Sequence, residues 1–183
     1  MSVSQQGSPA AGETESGEFS RMIDRRQIGN DPVKLEASEE ECAALAERFG
    51  LVRVASLAAE VELEPEKDAV MARGRMQASI VQSCAVSGED LPVGIDEPIA
   101  FRFVPDRRIT EEELELEEED CDEIPYSGTA FDLGEAVAQS LALAIDPFLT
   151  GPNADKVRQE AGLLDEEAAG PFAALAALKK DQD

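Results

Sequence analysis

The chain has 183 residues, of which 43% are hydrophobic and 4% aromatic, with no tryptophan. This length suits one domain with tails, and the composition requires a core built from Leu, Val, Ile and Ala. Forty Asp and Glu against 16 Lys and Arg give a net charge of −24. That balance opposes non-specific binding to nucleic acid, because such affinity comes largely from basic residues that displace counterions. Basic proteins are the more natural partners.

The sequence has no histidine and three cysteines, Cys42, Cys84 and Cys121. It therefore lacks the commonest general base and the commonest metal ligand. An odd number of cysteines without a C-x-x-C pair argues against a disulfide framework and against a structural zinc site. No glycine-rich phosphate-binding motif occurs, and no stretch is suited to spanning a bilayer. We expect a soluble, cytoplasmic, non-enzymatic protein without a cofactor.

The composition changes along the chain and divides it into segments of different character. Regions rich in Ser, Gly, Gln and Glu contain too few apolar residues to form a core and are predicted to be disordered. Regions in which apolar residues recur at regular spacing are predicted to form helices or strands. The predicted segments are a disordered tail over 1–18, a single α+β domain over 19–150 with an acidic mobile insertion at 106–124, a linker over 151–170 that is partly helical, and a short C-terminal helix or docking segment over 171–180.

Within the domain, the hydrophobic periods predict a small antiparallel sheet packed by helices, which is an α+β fold. Two short strands are expected before the first helix, in Phe19–Ile28 and Val33–Glu36. The remaining predicted elements are strands near 51–63, 69–82 and 98–104 and helices near 39–49 and 132–146.

Both helices have recognisable N-terminal caps. Ser38 and Glu41 form a capping box for the first helix, and Gly50 stands where a left-handed terminating residue is needed. Asp132 and Glu135 have the same spacing. We expect Asp132 to accept from amides of the first turn and Glu135 to reach back to the amide of the cap residue.

The second helix carries one apolar stripe. Leu133, Val137, Leu141 and Ile145 recur every fourth residue. The dipeptide Asp146-Pro147 is predicted to close this helix of about four turns, because proline disfavours helical geometry in the residue before it.

Two alternating segments predict a hairpin joined by a turn at 65–68. With that turn, Glu60 lies opposite Arg73, and Leu57 lies opposite Met76. A carboxylate opposite Arg73 favours a structural role for this arginine in the sheet over a role in RNA binding.

Carboxylates dominate residues 111–123, where ten of the thirteen side chains are Asp or Glu. Repulsion between like charges predicts a solvated, mobile insertion. The run could hold Mg²⁺ as in two-metal nucleases, but such sites need carboxylates that folded elements fix in place. Among the thiols, Cys84 has no evident activating base, and Cys42 is expected to be a small buried apolar group.

The C-terminal segment has the pattern of a short helix. Pro171 suits a first helical position, and Phe172, Leu175 and Leu178 form a stripe. Because a helix this short is marginal alone, it is expected to dock on its own domain or on a partner.

Three separated pieces, QASIVQSCAVSGEDL, FDLGEAVAQSLALAIDPF and GPFAALAALKK, together resemble the YceD family, the large ribosomal RNA subunit accumulation proteins, in an alphaproteobacterial-type form. The resemblance covers roughly Phe19 to Lys180. It implies a role in accumulation of 23S rRNA precursor or in large-subunit assembly, and no known enzymatic reaction. The residues carried over from the family's motifs are Cys84, Asp132, Leu133, Glu135, Leu141, Leu143, Pro147, Pro171, Phe172 and Leu175.

The resemblance also bears on metal binding. Some family members carry a second cysteine three residues after the first and a further one later in the chain, which hints at a metal knot. Here Ser87 occupies the position three residues after Cys84, and no cysteine follows the second helix. We therefore expect no metal site in this chain.

Three hypotheses for function follow. The leading one is a non-enzymatic factor for 23S rRNA accumulation that binds a ribosomal protein or a large-subunit precursor, with the acidic stretch attracting a basic partner. The alternative is direct RNA binding through Arg73, Arg75 and Arg102, with Arg107 and Arg108 nearby; the absence of surface aromatic residues for base stacking weakens it. A remote alternative is a carboxylate-metal nuclease. The oligomeric state is left open.

Overall fold

The computed structural model describes residues 18–106 and 122–162, with only the backbone described at Asp122. Residues 1–17 of the predicted tail over 1–18, most of the acidic run and the C-terminal segment over 171–180 lie outside the described residues. The described elements are β1 (Met22–Asp24), a single 3₁₀ turn (Arg25–Gln27), β2 (Val33–Glu36), α1 (Glu39–Phe49), β3 (Arg53–Pro65), β4 (Val70–Ser83), β5 (Asp90–Pro105), β6 (Asp122–Tyr126), β7 (Ala130–Asp132), α2 (Leu133–Ala144) and α3 (Ala154–Glu160).

The main sheet has five strands in the order β2-β3-β4-β5-β6, and β1 pairs with β7 in a separate two-stranded sheet. All neighbouring strands are antiparallel except β5 and β6, which are parallel. The helices α1 and α2 cover one face of the main sheet. The predicted α+β class is confirmed.

The core lies between this covered face and the two helices. Leu57, Val61 and Ile80 from the sheet are fully buried there, together with Leu45 from α1. At the β5 end of the core, the rings of Phe103 and Phe131 stack with their centroids 4.1 Å apart. Every second residue of these strands points its side chain into this core, as the alternating sequence pattern predicts.

Two features of the sheet differ from the prediction. The strand expected near 98–104 begins at Asp90, because β4 offers pairing partners along its whole length and the prolines and acidic residues of 90–98 hide the alternation. The strand β6 was not predicted, and it lies at the end of the acidic stretch. Its parallel pairing with β5 makes the sheet mixed rather than wholly antiparallel.

The hairpin turn lies one residue later than predicted. Pro65 pairs with Val70, and the N–H of Glu66 donates to the carbonyl of Ala69 at 2.9 Å, so the loop is 66–69. A shift of one residue in the turn moves the register by two, which keeps every side chain on its predicted face. The predicted pairs are therefore wrong: Arg73 lies opposite Glu62 instead of Glu60, and Leu57 lies opposite Ala78 instead of Met76.

The first helix has the predicted ends. Ser38 Oγ accepts from the N–H of Glu41 at 3.2 Å, and Glu41 Oε2 accepts from the N–H of Ser38 at 2.8 Å. Gly50 adopts φ = 64° at the C-terminus, a left-handed conformation that glycine takes without a Cβ penalty. The predicted capping box and terminating glycine are both confirmed.

The start of α2 joins the N-terminal segment of the domain. The carboxylate of Asp132 accepts hydrogen bonds from Ser20 Oγ at 2.5 Å, from the N–H of Arg21 at 2.8 Å and from the N–H of Glu135 at 3.0 Å. A Cβ at Gly134 would collide with the backbone of Phe19 and Arg21. The Asp132 cap is confirmed, and it also anchors a second segment.

Glu135 does not complete a capping box. Its carboxylate instead accepts two hydrogen bonds from Arg48 of α1, at 2.7 and 2.8 Å. Arg48 lowers the pKa of Glu135. A second arginine, Arg21, makes a bidentate ion pair with Glu41 at 2.6 and 2.9 Å and lowers the pKa of Glu41 to about 2. These pairs hold α1 to α2 and to the N-terminal segment.

The apolar stripe of α2 faces the core for most of its length. Leu133, Val137 and Leu141 are fully buried. The helix ends at Ala144, two residues before the predicted end. Ile145 follows as the extended cap residue and is only partly buried.

The Asp132 contacts predict a large effect of a single substitution. Asp132→Ala removes three accepted hydrogen bonds and leaves their donors in a half-buried junction, so we expect the free energy of unfolding to fall by about 2–4 kcal/mol. Ser38→Ala, which removes one cap bond of α1, should cost about 1 kcal/mol. Urea unfolding of both variants measures the comparison. Equal losses would contradict the role of Asp132 as an anchor for two segments.

Candidate functional site

The helices leave one face of the main sheet uncovered, and we call it the open face. The strand parity and pairing place on it the three arginines that the sequence marked for RNA or partner contact. Its charged side chains are Lys34 and Glu36 from β2, Arg53, Glu60, Glu62 and Glu64 from β3, Arg73 and Arg75 from β4, Asp90, Asp96 and Arg102 from β5, and Glu123 from β6.

Each of these cations except Arg53 forms an ion pair with a carboxylate in the described part of the chain. The ion pairs are Lys34 with Glu60 at 3.8 Å, Arg73 with Glu64 at 3.6 Å, Arg75 with Asp96 at 2.5 Å, and Arg102 with Glu66 of the hairpin turn at 3.3 Å and with Glu123 at 2.9 Å. Such exposed pairs add little stability, but they reduce the positive potential that each arginine presents to a ligand.

Carboxylates outnumber cations on the open face. Glu36 and Glu62 project from it, and neither forms an ion pair within residues 18–106 and 122–162. The guanidinium of Arg75 lowers the pKa of Asp96, which keeps that carboxylate charged. Arg107 and Arg108 lie outside the described residues. The open face therefore presents net negative charge from its described strands.

A shallow depression crosses this face between β2, β3 and β4. Ala58 lies at its floor, and Lys34, Glu36, Arg75 and Gln77 stand around it. A small residue at the floor lets another backbone or side chain approach the sheet closely. The depression can accept an extended or narrow partner between charged rims.

The turn between β4 and β5 is organised around Cys84, whose residue is 4% exposed. Its sulfur accepts N–H hydrogen bonds from Val86 at 3.5 Å, Ser87 at 3.3 Å and Gly151 at 3.3 Å. Gly151 belongs to the segment after α2, so the sulfur joins two parts of the chain.

Three further contacts strengthen this junction. The N–H of Ala85 donates to the carbonyl of Leu149 at 2.9 Å. The side chain of Gln82 donates to the carbonyl of Asp146 at 2.7 Å. The carboxylate of Glu89 accepts hydrogen bonds from Asn153. We did not predict this link, because no local sequence pattern connects residues more than 60 positions apart.

The donors around Cys84 change its acidity. The Ser87 hydroxyl, together with the N–H groups of Ser87, Gly151 and Val86, lowers the pKa of the Cys84 thiol to about 6. The effect follows because hydrogen bonds to the charged form favour it. In contrast, burial raises the pKa of Cys42.

The arrangement of acidic and thiol groups bears on the metal hypotheses. Among residues 18–106 and 122–162, no three His, Cys, Asp or Glu side chains come together in a cluster that could hold a metal ion. Most of the carboxylate run lies outside that range, and the nuclease alternative stays a hypothesis. The sulfur of Cys84 accepts hydrogen bonds from N–H groups, including that of Ser87, whereas a metal site at this position would need further thiolate ligands.

The residues marked by the family resemblance have different environments. Asp132 caps α2, Glu135 binds Arg48, and Leu133 and Leu141 are fully buried. These four have structural roles. The others are Cys84 in its buried turn, Leu143 on the exposed side of α2, Pro147 just beyond the helix, and Pro171, Phe172 and Leu175 outside the described residues.

The family model described as large ribosomal RNA subunit accumulation protein YceD matches residues 72–179, which is more than half of the chain. The chain belongs to the YceD family. Membership supports a role in accumulation of the large ribosomal RNA subunit. Neither a curated protein nor a solved structure matches the chain.

The matched range contains the Cys84 turn, β5 and α2, and it includes β4 apart from its first two residues. The strands β2 and β3, which supply part of the open face, precede it. No helix in the described part of the chain has the length and apolar character needed to cross a membrane.

The acidity of Cys84 gives a pH-dependent prediction. A depressed pKa in the folded state contributes stability that is present above the unfolded pKa near 9 and is lost as the pH falls through about 6. We therefore expect the destabilisation caused by Cys84→Ala to be larger at pH 9 than at pH 6, as measured by urea unfolding. Cys42→Ala serves as the control and should show no such increase between these pH values. Parallel behaviour of the two variants would contradict the thiolate assignment.

Proposed function

We propose that this YceD-family protein is a non-enzymatic factor for large ribosomal subunit accumulation that binds a basic protein partner on its open face. The partner belongs to the class of ribosomal proteins, free or within a large-subunit precursor, and the protein acts in the cytoplasm. The alphaproteobacterial type stays a prediction from the sequence motifs.

One observation carries this proposal: Arg73, Arg75 and Arg102 on the open face are already paired with carboxylates, and further carboxylates beside them form no ion pair with described residues. Arg73 and Arg75 each contact an acidic side chain, while Glu36 and Glu62 do not form ion pairs with described residues. A polyanion that approached this face would have to displace the acidic neighbours and would be repelled by the surplus charge. A cationic surface would meet complementary charge.

The net charge of −24 supports the same choice of partner. An acidic protein attracts basic proteins over a distance of about a Debye length, roughly 8 Å at physiological ionic strength. Free ribosomal proteins are basic and must reach rRNA during assembly. An acidic factor that holds such a protein weakly would release it to the more highly charged RNA.

The carboxylates of the open face provide a direct test. Glu36→Gln with Glu62→Gln removes two charges that make no ion pair with described residues, and should weaken binding to immobilised proteins extracted from purified large subunits by about fivefold, or about 1 kcal/mol. Glu40→Gln with Glu47→Gln removes two exposed charges from α1 and is the matched control. Binding of all variants should fall steeply between low and high salt.

Equal weakening by the two pairs of substitutions would show that net charge alone drives the interaction. No retention of the native chain at any salt concentration would overturn the proposal. Unchanged binding of the Glu36 and Glu62 variant would place the partner on another surface.

The alternative of direct RNA contact is tested by the arginines themselves. If RNA does not bind the open face, Arg73→Ala, Arg75→Ala and Arg102→Ala together leave any gel shift with 23S rRNA fragments unchanged. The same substitutions should not weaken binding to the ribosomal proteins, because they free carboxylates on the face. A salt-dependent gel shift that is lost in the triple variant would favour the RNA-binding hypothesis instead.

A further inference from the structure

The shallow depression on the open face has the dimensions of a subsite for one side chain. It has a volume of about 430 Å³ and lies across the strands β2, β3 and β4. Ala58 at its floor pairs with Glu36 of β2 on one side and with Gln77 of β4 on the other. Because two strand spacings separate β2 from β4, the gap above Ala58 is about 10 Å wide. One extended side chain fits between these walls, whereas a helix with its side chains is too wide.

The charges around the depression are paired except at one position. Lys34 lies 3.8 Å from Glu60, and Arg75 lies 2.5 Å from Asp96. The carboxylate of Glu36 forms no ion pair in the described part of the chain. Three carboxylates therefore stand against two cations, and the surplus negative charge belongs to Glu36.

The backbone that carries Glu36 is held in place. The carbonyl of Glu36 accepts a hydrogen bond from Nη2 of Arg21 at 3.1 Å, and the N–H of Ala37 donates to the carbonyl of Leu57 at 2.9 Å. Arg21 is itself fixed by its bidentate ion pair with Glu41. The rim of the depression is thus positioned before a ligand arrives, which limits the conformational freedom that binding must remove.

We propose that the depression takes one lysine or arginine side chain of the basic partner. This inference rests on the proposed function and names the contact that holds the partner. The aliphatic part of the side chain lies over the methyl group of Ala58, and its cationic end reaches the carboxylate of Glu36. Long basic side chains combine an apolar stem with a charged head in this way. The amide oxygen of Gln77 supplies a neutral acceptor on the opposite wall.

The same arrangement disfavours other classes of ligand. A phosphate or carboxylate group would reach Lys34 and Arg75 only by displacing Glu60 and Asp96, and Glu36 would repel it. A neutral ligand would remove water from Glu36 without supplying a counter-charge. A long cationic side chain both fills the depression and neutralises its surplus charge.

Two lysine substitutions of equal charge test the subsite in the full-length chain. Ala58→Lys places an ammonium group directly opposite Glu36, where the cross-strand pair occupies the subsite from within. Retention on immobilised proteins extracted from purified large subunits should fall about tenfold. Ser79→Lys is the matched control, because Ser79 is an exposed small residue of the open face that does not line the depression. It should reduce retention by less than about twofold.

The single carboxylate substitutions give a second measurement that adds no new side chain to the sheet. Glu36→Gln should cause most of the loss that is seen when Glu36 and Glu62 are changed together, and Glu62→Gln should cause little of it. The two substitutions remove the same charge from the same face, so only the depression distinguishes them. Urea unfolding of every variant checks that the chain is folded.

Hexalysine and hexaarginine, titrated into the same variants, distinguish the two side chains. The peptide with the preferred side chain should bind the Ala58→Lys variant about fivefold more weakly than the Ser79→Lys variant. Equal losses by the two lysine variants, or by the two glutamine variants, would overturn the subsite while leaving the proposed function intact. Stronger retention of the Ala58→Lys variant would indicate an anionic ligand and would also overturn it. Failure of the native chain to be retained would instead overturn the proposed function.

Discussion

The carboxylate of Asp132 is the contact on which the arrangement of the domain depends. It caps the first turn of α2 and also receives hydrogen bonds from Ser20 and Arg21. The absence of a side chain at Gly134 allows the N-terminal segment to lie directly against that turn. A helix end that would otherwise expose unsatisfied amides thus becomes the joint between two distant parts of the chain. With α2 fixed at this end, its leucine stripe must face the sheet.

Fixing α2 and α1 on one side determines what the other side can do. Arg48 and Arg21 act between the helices and the N-terminal segment, where their partners are Glu135 and Glu41. The ion pairs of these two arginines therefore stabilise the packing of the helices and the N-terminal segment on the side of the sheet opposite the open face. The open face keeps Lys34, Arg53, Arg73, Arg75 and Arg102, and all but Arg53 form an ion pair with a carboxylate. In a chain with 16 basic and 40 acidic residues, the carboxylates of this face still outnumber its cations, and the open face is therefore anionic.

The sequence predicted the structure correctly where the pattern lies within a few neighbouring residues. The cap at Ser38, the glycine end at Gly50 and the faces of the hairpin strands all depend on residues a few positions apart. It was insufficient for Glu135, whose local pattern indicated a capping box, because the stronger competitor was Arg48, 87 residues away. The same limit applies to the candidate site. The alternation of residues along β4 was enough to predict that Arg73 lies on the open face. Which carboxylates lie beside it could not be predicted, because that depends on the position of the hairpin turn and on the order of the strands in the sheet.

Cys84 shows how a single buried side chain can join two parts of the chain that are far apart in sequence. Its sulfur receives N–H donors from both its own turn and Gly151, so one atom links the β4–β5 turn to the segment after α2. Thiolate charge strengthens hydrogen bonds of this kind. The backbone donors and Ser87 thus connect these regions, and the turn positions the segment that follows α2.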